Sequence, residues 1–128
     1  MLGQEWSYGL TKVDKSGVFC CEPRKCRMHT YRQSIYMGDA KRDVASVHGL
    51  LKTLRAEWNG LDYDLLRHNC CNFSEAMCKA LGVGTIPRWV HRLADAGCAL
   101  EDADVALVHE LHHVEVRVCA REQQSLCV

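Results

Sequence analysis

The chain is expected to fold as one α/β domain of the α+β kind, a small, mostly antiparallel sheet packed with about three helices. Three observations lead there. Up to about residue 37, strand-prone side chains are broken by turn residues; from about Asp39 the apolar period becomes helical; and no repeat or linker divides the 128 residues. A chain of this length buries roughly two-thirds of the surface it exposes when unfolded, enough for one core.

The elements follow in order. Trp6, Tyr8 and Leu10 alternate with Ser7 and Gly9 as a strand does, Asp14-Lys15-Ser16-Gly17 is turn chemistry, and Val18-Phe19-Cys20 resumes a short apolar run. A further strand is expected from Met28 to Met37, carried by Thr30, Tyr31, Ile35 and Tyr36, with Gly38 ending it. From Asp39 to Trp58, the residues Val44, Val47, Leu50, Leu51, Leu54 and Trp58 fall at helical spacing, and Asn59-Gly60 stops the run. The next helix is expected to begin near Asn72 and to run through Phe73, Ala76, Met77, Ala80 and Leu81 to Gly82, which places Cys70 just ahead of it. Thr85-Ile86-Pro87 starts a third helix with Trp89, Val90 and Leu93 on its apolar side, and Gly97 can end it. Residues 101–128 are acidic, then His-rich, then alternating from Val114 to Val118, and are read as a tail of undefined structure.

Composition narrows the function. Sixteen Lys+Arg against sixteen Asp+Glu leaves no net charge, so the overall balance points to neither nucleic acid nor an anionic membrane. No apolar run approaches the ~18 residues that span a bilayer, and the first residues lack the pattern of a secretory signal. Nine cysteines are an odd number, and without an export signal they read as reduced thiols of a soluble, cytoplasmic protein, with the nucleus as a second compartment. No cofactor is expected.

Chemistry concentrates at His68-Asn69-Cys70-Cys71-Asn72-Phe73-Ser74. The first turn of a helix carries unpaired backbone N–H groups and the positive end of the macrodipole, so a cysteine there is biased toward the reactive thiolate. Read without its neighbours, a Cys-Cys pair is ordinarily two buried thiols.

The neighbours resemble a known family. Tyr63 to Ser74, followed by Leu81-Gly82 and then Ile86-Pro87-Arg88-Trp89-Val90-His91-Arg92-Leu93-Ala94, is similar in order and spacing to the PPPDE desumoylating and deubiquitinating isopeptidases. Glu5-Trp6-Ser7-Tyr8-Gly9 and Tyr36-Met37-Gly38 extend the likeness upstream, and His91 stands where the family usually has asparagine. The resemblance implies a permuted papain-like thiol peptidase over residues 1–100, with Cys70 as the nucleophile and Cys71 as its neighbour. It implies hydrolysis of the isopeptide bond joining ubiquitin or a ubiquitin-like modifier to a lysine. The family's catalytic histidine lies in a His-x-Gly strand ahead of the Glu-aromatic segment, so the chain is expected to be incomplete at its N-terminus. His29, His48 and His68 do not match that motif. The alternative is a modifier-binding module without turnover, and loss of the histidine strand would expose a strand edge open to self-association.

Two further clusters carry alternatives. His109-Glu110-Leu111-His112-His113 fits the His-Glu-x-x-His zinc pattern, which would make a zinc-binding tail or a metalloprotease, with Cys119 as a third ligand in principle, and its bland counterpart is a His-rich polar tail. Cys20, Cys21 and Cys26 with His29 offer a structural zinc set, but adjacent cysteines on an extended chain point opposite ways and Pro23 marks a turn, so reduced loop thiols are favoured and no metal is expected. Trp58 belongs to the long helix's apolar face. Trp6 and Trp89 are core or cleft residues, and one of them would line a cleft for an extended peptide.

Overall fold

A computed structural model describes residues 1–27, 31, 33–91 and 115–120. Strand β1 (Glu5–Tyr8) pairs antiparallel with β2 (Val18–Cys21) in the register Glu5 to Cys21, Trp6 to Cys20, Ser7 to Phe19 and Tyr8 to Val18. Side chains directly opposite share a face, so Tyr8 and Val18 enter the core together. The loop between these strands is stitched to the segment that follows the first helix. Gly9 N–H donates to Gly17 O at 3.0 Å, Gly17 N–H to Trp58 O at 2.9 Å, and Gly60 N–H to Lys15 O at 2.8 Å. Backbone packs so closely here that a Cβ on Gly17 would lie 2.7 Å from Tyr8 Cε2 and 2.8 Å from Gly60 Cα.

Strand β3 (Ser34–Ala40) runs past Gly38, where the sequence places its end. Gly38 takes φ +99° at a register irregularity between Tyr36 and Asp39. A glycine bulge bends the strand without terminating it, and Ala40 reaches the core beyond it. The expected start at Met28 lies outside the described residues. Strand β3 pairs in parallel with β4 (Glu115–Ala120), a segment of the stretch read as a tail.

Helix α1 (Val44–Glu57) starts later than the period suggests, because Asp39 and Ala40 belong to β3 and Asp43 is the N-cap, its carboxylate accepting from Ser46 N–H at 2.8 Å. Val47, Leu51 and Leu54 form its buried stripe. A 3-10 turn (Gly60–Asp62) follows, capped by the Asn59 side chain. Helix α2 (Cys70–Leu81) buries Cys71, Phe73, Met77, Cys78 and Leu81, and ends at Gly82 in the left-handed region, φ +77°. Lys41 N–H donates to Leu81 O at 3.0 Å, which ties the end of β3 to the end of α2. Residues 88–91 are helical after Pro87, with Val90 buried; the rest of the expected third helix lies outside the described residues. Among the described residues no helix is long and apolar enough to cross a membrane.

Candidate active site

The site is built on an aromatic cluster. Tyr8 sits within ring-contact distance of Trp58 (4.9 Å), Tyr63 (5.3 Å), His68 (5.4 Å) and Phe73 (6.0 Å). Its hydroxyl donates to Asn59 O at 2.7 Å, which satisfies the polar end of a buried ring. Above the cluster the chain makes a tight reversal from Asp64 to His68, with the Asp64 carboxylate accepting from the N–H groups of Leu66 (2.8 Å) and Arg67 (2.9 Å). Those two hydrogen bonds hold the Asp64 carboxyl below its ordinary range.

This reversal delivers Asn69, which is 1 % exposed and caps α2. Its Oδ1 accepts from Cys71 N–H (2.8 Å) and Asn72 N–H (3.2 Å), its Nδ2 donates to Leu65 O (2.9 Å), and its own N–H donates to Asn72 Oδ1 (2.9 Å). Asn69 and Asn72 therefore form a reciprocal capping box. Its effect is to start the helix two residues earlier than the apolar period indicates. Cys70 is inside the first turn, not ahead of it.

The two thiols differ sharply. Cys70 is half-buried, and Cys71 is buried with its sulfur 4.0 Å from Val90 O. The Cys70 thiol is pulled below its ordinary value, first by hydrogen bonding from Cys71, then by the backbone N–H groups of Cys70 and Cys71 and by the Tyr63 hydroxyl, against an opposing cost of desolvation. Cys71 is pushed strongly up by its hydrogen bond to Cys70, by burial and by the charge on Cys70. Tyr63 is raised by burial and by the neighbouring thiolate charge, so its proton stays on the oxygen that faces Cys70. The arrangement biases Cys70 toward thiolate and sets donors around it.

Residues 1–109 match the family described as "PPPDE putative peptidase domain". The chain belongs to the PPPDE peptidase family. It is 32 % identical over 93 residues to a DeSI-like protein of Arabidopsis thaliana, covering 73 % of this chain and 42 % of that protein. It is 30 % identical over 99 residues to the desumoylating isopeptidase 1 homolog of Caenorhabditis elegans, covering 74 % and 30 %. The DeSI-like protein sdu1 of Schizosaccharomyces pombe is 32 % identical over 111 residues, covering 83 % and 54 %. The chain thus spans about a third to a half of the length of these relatives. No solved structure matches it. The α+β architecture of short strands and helices is the one expected of the PPPDE domain.

The histidines are placed elsewhere. His68 lies flat on Trp58, centroids 4.3 Å apart and planes at 9°, and is used as a core ring. His91 pairs with Glu75 on α2, which fastens the start of the third helix to the second, and His48 is exposed on α1. His29 and the His109 to His113 pattern lie outside the described residues. In the β1–β2 region Cys20 is exposed, whereas Cys21 and Cys26 converge with Glu5, a set that the cysteine spacing did not indicate. Tyr63 and Asn69 were visible only as members of the recurring motif. Asn69 carried a usable signal, since an Asn three residues before another Asn at a helix start is capping chemistry. Nothing in Tyr63's spacing marked it as a donor to the sulfur.

Proposed function

We propose that Cys70 is the nucleophile of a thiol isopeptidase that releases ubiquitin or a ubiquitin-like modifier from lysine side chains in the cytoplasm or nucleus. The observation that carries this reading is the asymmetry of the thiol pair: Cys70 is partly accessible and held toward thiolate, while Cys71 is buried and held protonated. Family membership and the name of the nematode relative support the substrate class. The Cys70 sulfur attacks the carbonyl carbon of the modifier's C-terminal glycine, and backbone N–H groups at the start of α2 steady the oxyanion. The C–N bond breaks as the lysine nitrogen takes a proton from water, and a water then hydrolyses the thioester, freeing the modifier's carboxylate and returning the Cys70 thiol. Incubation with a ubiquitin conjugate and a ubiquitin-like conjugate tests it. Cleavage by the native chain and its loss in Cys70→Ala are expected; a Cys70→Ala protein that still cleaves refutes the assignment.

A second reading is favoured by a specific observation. Among the described residues, His48 is exposed, His68 is stacked on Trp58 and His91 is ion-paired with Glu75, and a general base contributes ~10²–10⁴ in rate. On this reading the chain binds the modifier without turnover. Binding that persists in Cys70→Ala, with no cleavage by the native chain, is its signature.

A further inference from the structure

Away from α2, the β1–β2 hairpin assembles a second cluster of thiols. Glu5 opens β1 and lies opposite Cys21, the last residue of β2, so the two side chains leave the sheet on one face. Cys20 leaves on the other face and is exposed. Beyond β2 the chain turns back on itself: Lys25 N–H donates to Glu22 O at 3.0 Å, Arg24 adopts φ +64°, and Cys26 returns to the face of Glu5 and Cys21. One carboxylate oxygen and two sulfurs then lie within 4.8 Å of one another, all on half-buried residues. The carboxylate is already oriented, since Glu5 Oε2 accepts from Arg24 N–H at 2.8 Å.

We propose that Glu5, Cys21 and Cys26 form a binding site for a thiophilic divalent cation, with zinc as the natural occupant and water as the fourth ligand. Zinc takes thiolate sulfur at about 2.3 Å and carboxylate oxygen at about 2.0–2.2 Å in a tetrahedron, which spaces neighbouring ligand atoms by roughly 3.5–4 Å. The observed cluster needs only a small contraction to reach that spacing. Binding forms two Zn–S bonds and two Zn–O bonds, one to Glu5 and one to water, and the two thiols release two protons; the complex carries one net negative charge. The metal clips residues 21–26 to the start of β1, the strand that carries Tyr8 into the core under Cys70.

The test uses the full chain, reduced and metal-free, titrated with Co²⁺ alone. One equivalent is expected to bind, with a thiolate-to-cobalt charge-transfer band and release of two protons. Cys21→Ser and Cys26→Ser each abolish the band, Cys20→Ser leaves it, and Glu5→Gln weakens binding by about tenfold or more. A band that survives the Cys21→Ser/Cys26→Ser double substitution, or no uptake by the native chain, overturns the proposal. A second measurement needs no variant: one equivalent of zinc protects Cys21 and Cys26, but not Cys20, from alkylation read by mass spectrometry. Equal labelling of all three in the presence of zinc overturns it as well.

Discussion

Substituting Asn69 separates what holds α2 from what activates Cys70. Replacing Asn69 with alanine removes the cap, a loss of about 1 kcal/mol in comparable helices. It also strips the partner from the Cys71 N–H, which is buried and otherwise bonded at 2.8 Å, and an unpaired buried donor costs about 1–3 kcal/mol. The Leu65 carbonyl loses the Asn69 Nδ2 donor as well. The cap loss and the unpaired Cys71 N–H are one interaction, so the total is about 1–3 kcal/mol, a large share of the ~5–15 kcal/mol that typically holds a domain folded. The melting temperature should fall by roughly 4–12 °C, since a domain of this size loses about 4 °C per kcal/mol.

Urea unfolding reads the stability, and the pH dependence of iodoacetamide labelling at Cys70 reads the thiol. The Asn69→Asp protein sharpens the comparison. It restores an acceptor for the N–H groups of Cys71 and Asn72 but sets a carboxylate beside Cys70. Stability should recover in part, because a negative charge suits a helix start, while the Cys70 thiol rises and labelling at neutral pH slows. An Asn69→Ala protein within about 0.5 kcal/mol of the native chain would refute the capping argument. An Asn69→Asp protein that labels as fast as the native chain would refute the electrostatic one.

Tyr63→Phe removes one donor from the Cys70 thiolate and keeps the ring against Tyr8, so the labelling profile should move to higher pH while stability changes by no more than about 1 kcal/mol; an unmoved profile shows that the hydroxyl does not act on the sulfur. Glu75 is held below its ordinary value of 4.5 by Lys79 and then His91, so its contribution is present above that value and fades as pH falls through the lower folded value. Glu75→Gln should therefore cost about 1 kcal/mol at neutral pH, with the gap closing in acid, as denaturant melts at several pH values would report. Gly17→Ala forces a Cβ against Tyr8 and Gly60 and should cost about 1–3 kcal/mol or more, checked by thermal melting; a neutral substitution would mean that the stitch between the hairpin loop and residues 58–60 is slack.

Local chemistry made much of this molecule legible. Val47, Leu51 and Leu54 announced α1 because a helix that packs on one side must repeat its apolar residues at that spacing. The ends were less legible. Gly38 reads as a stop, yet a glycine in a strand is equally a bulge, and only the partner strand decides between them. The expected start of α2 near Asn72 is two residues late because the apolar period begins only at Phe73, whereas the helix is started by the polar pair Asn69 and Asn72. The Glu5, Cys21 and Cys26 cluster joins the beginning of one strand to the turn after another. Spacing along the chain carries no signal for that.

The pairing of Cys70 with Cys71 shows why two identical neighbours need not be equivalent. Consecutive residues on a helix point about 100° apart. Since Phe73 and Met77 fix the inward face of α2, Cys71 is turned under Val90 while Cys70 stays at the edge of the aromatic cluster. Each position then reinforces the other. Hydrogen bonding with Cys70 and burial keep the Cys71 proton on sulfur, where it faces both the Val90 carbonyl and Cys70, and charge on Cys70 raises Cys71 further. Such coupling biases one of two like groups toward thiolate and the other toward thiol. Cys71→Ala removes that S–H, so the pH profile of iodoacetamide labelling at Cys70 should move upward; an unmoved profile would show that Cys71 does not tune the proposed nucleophile.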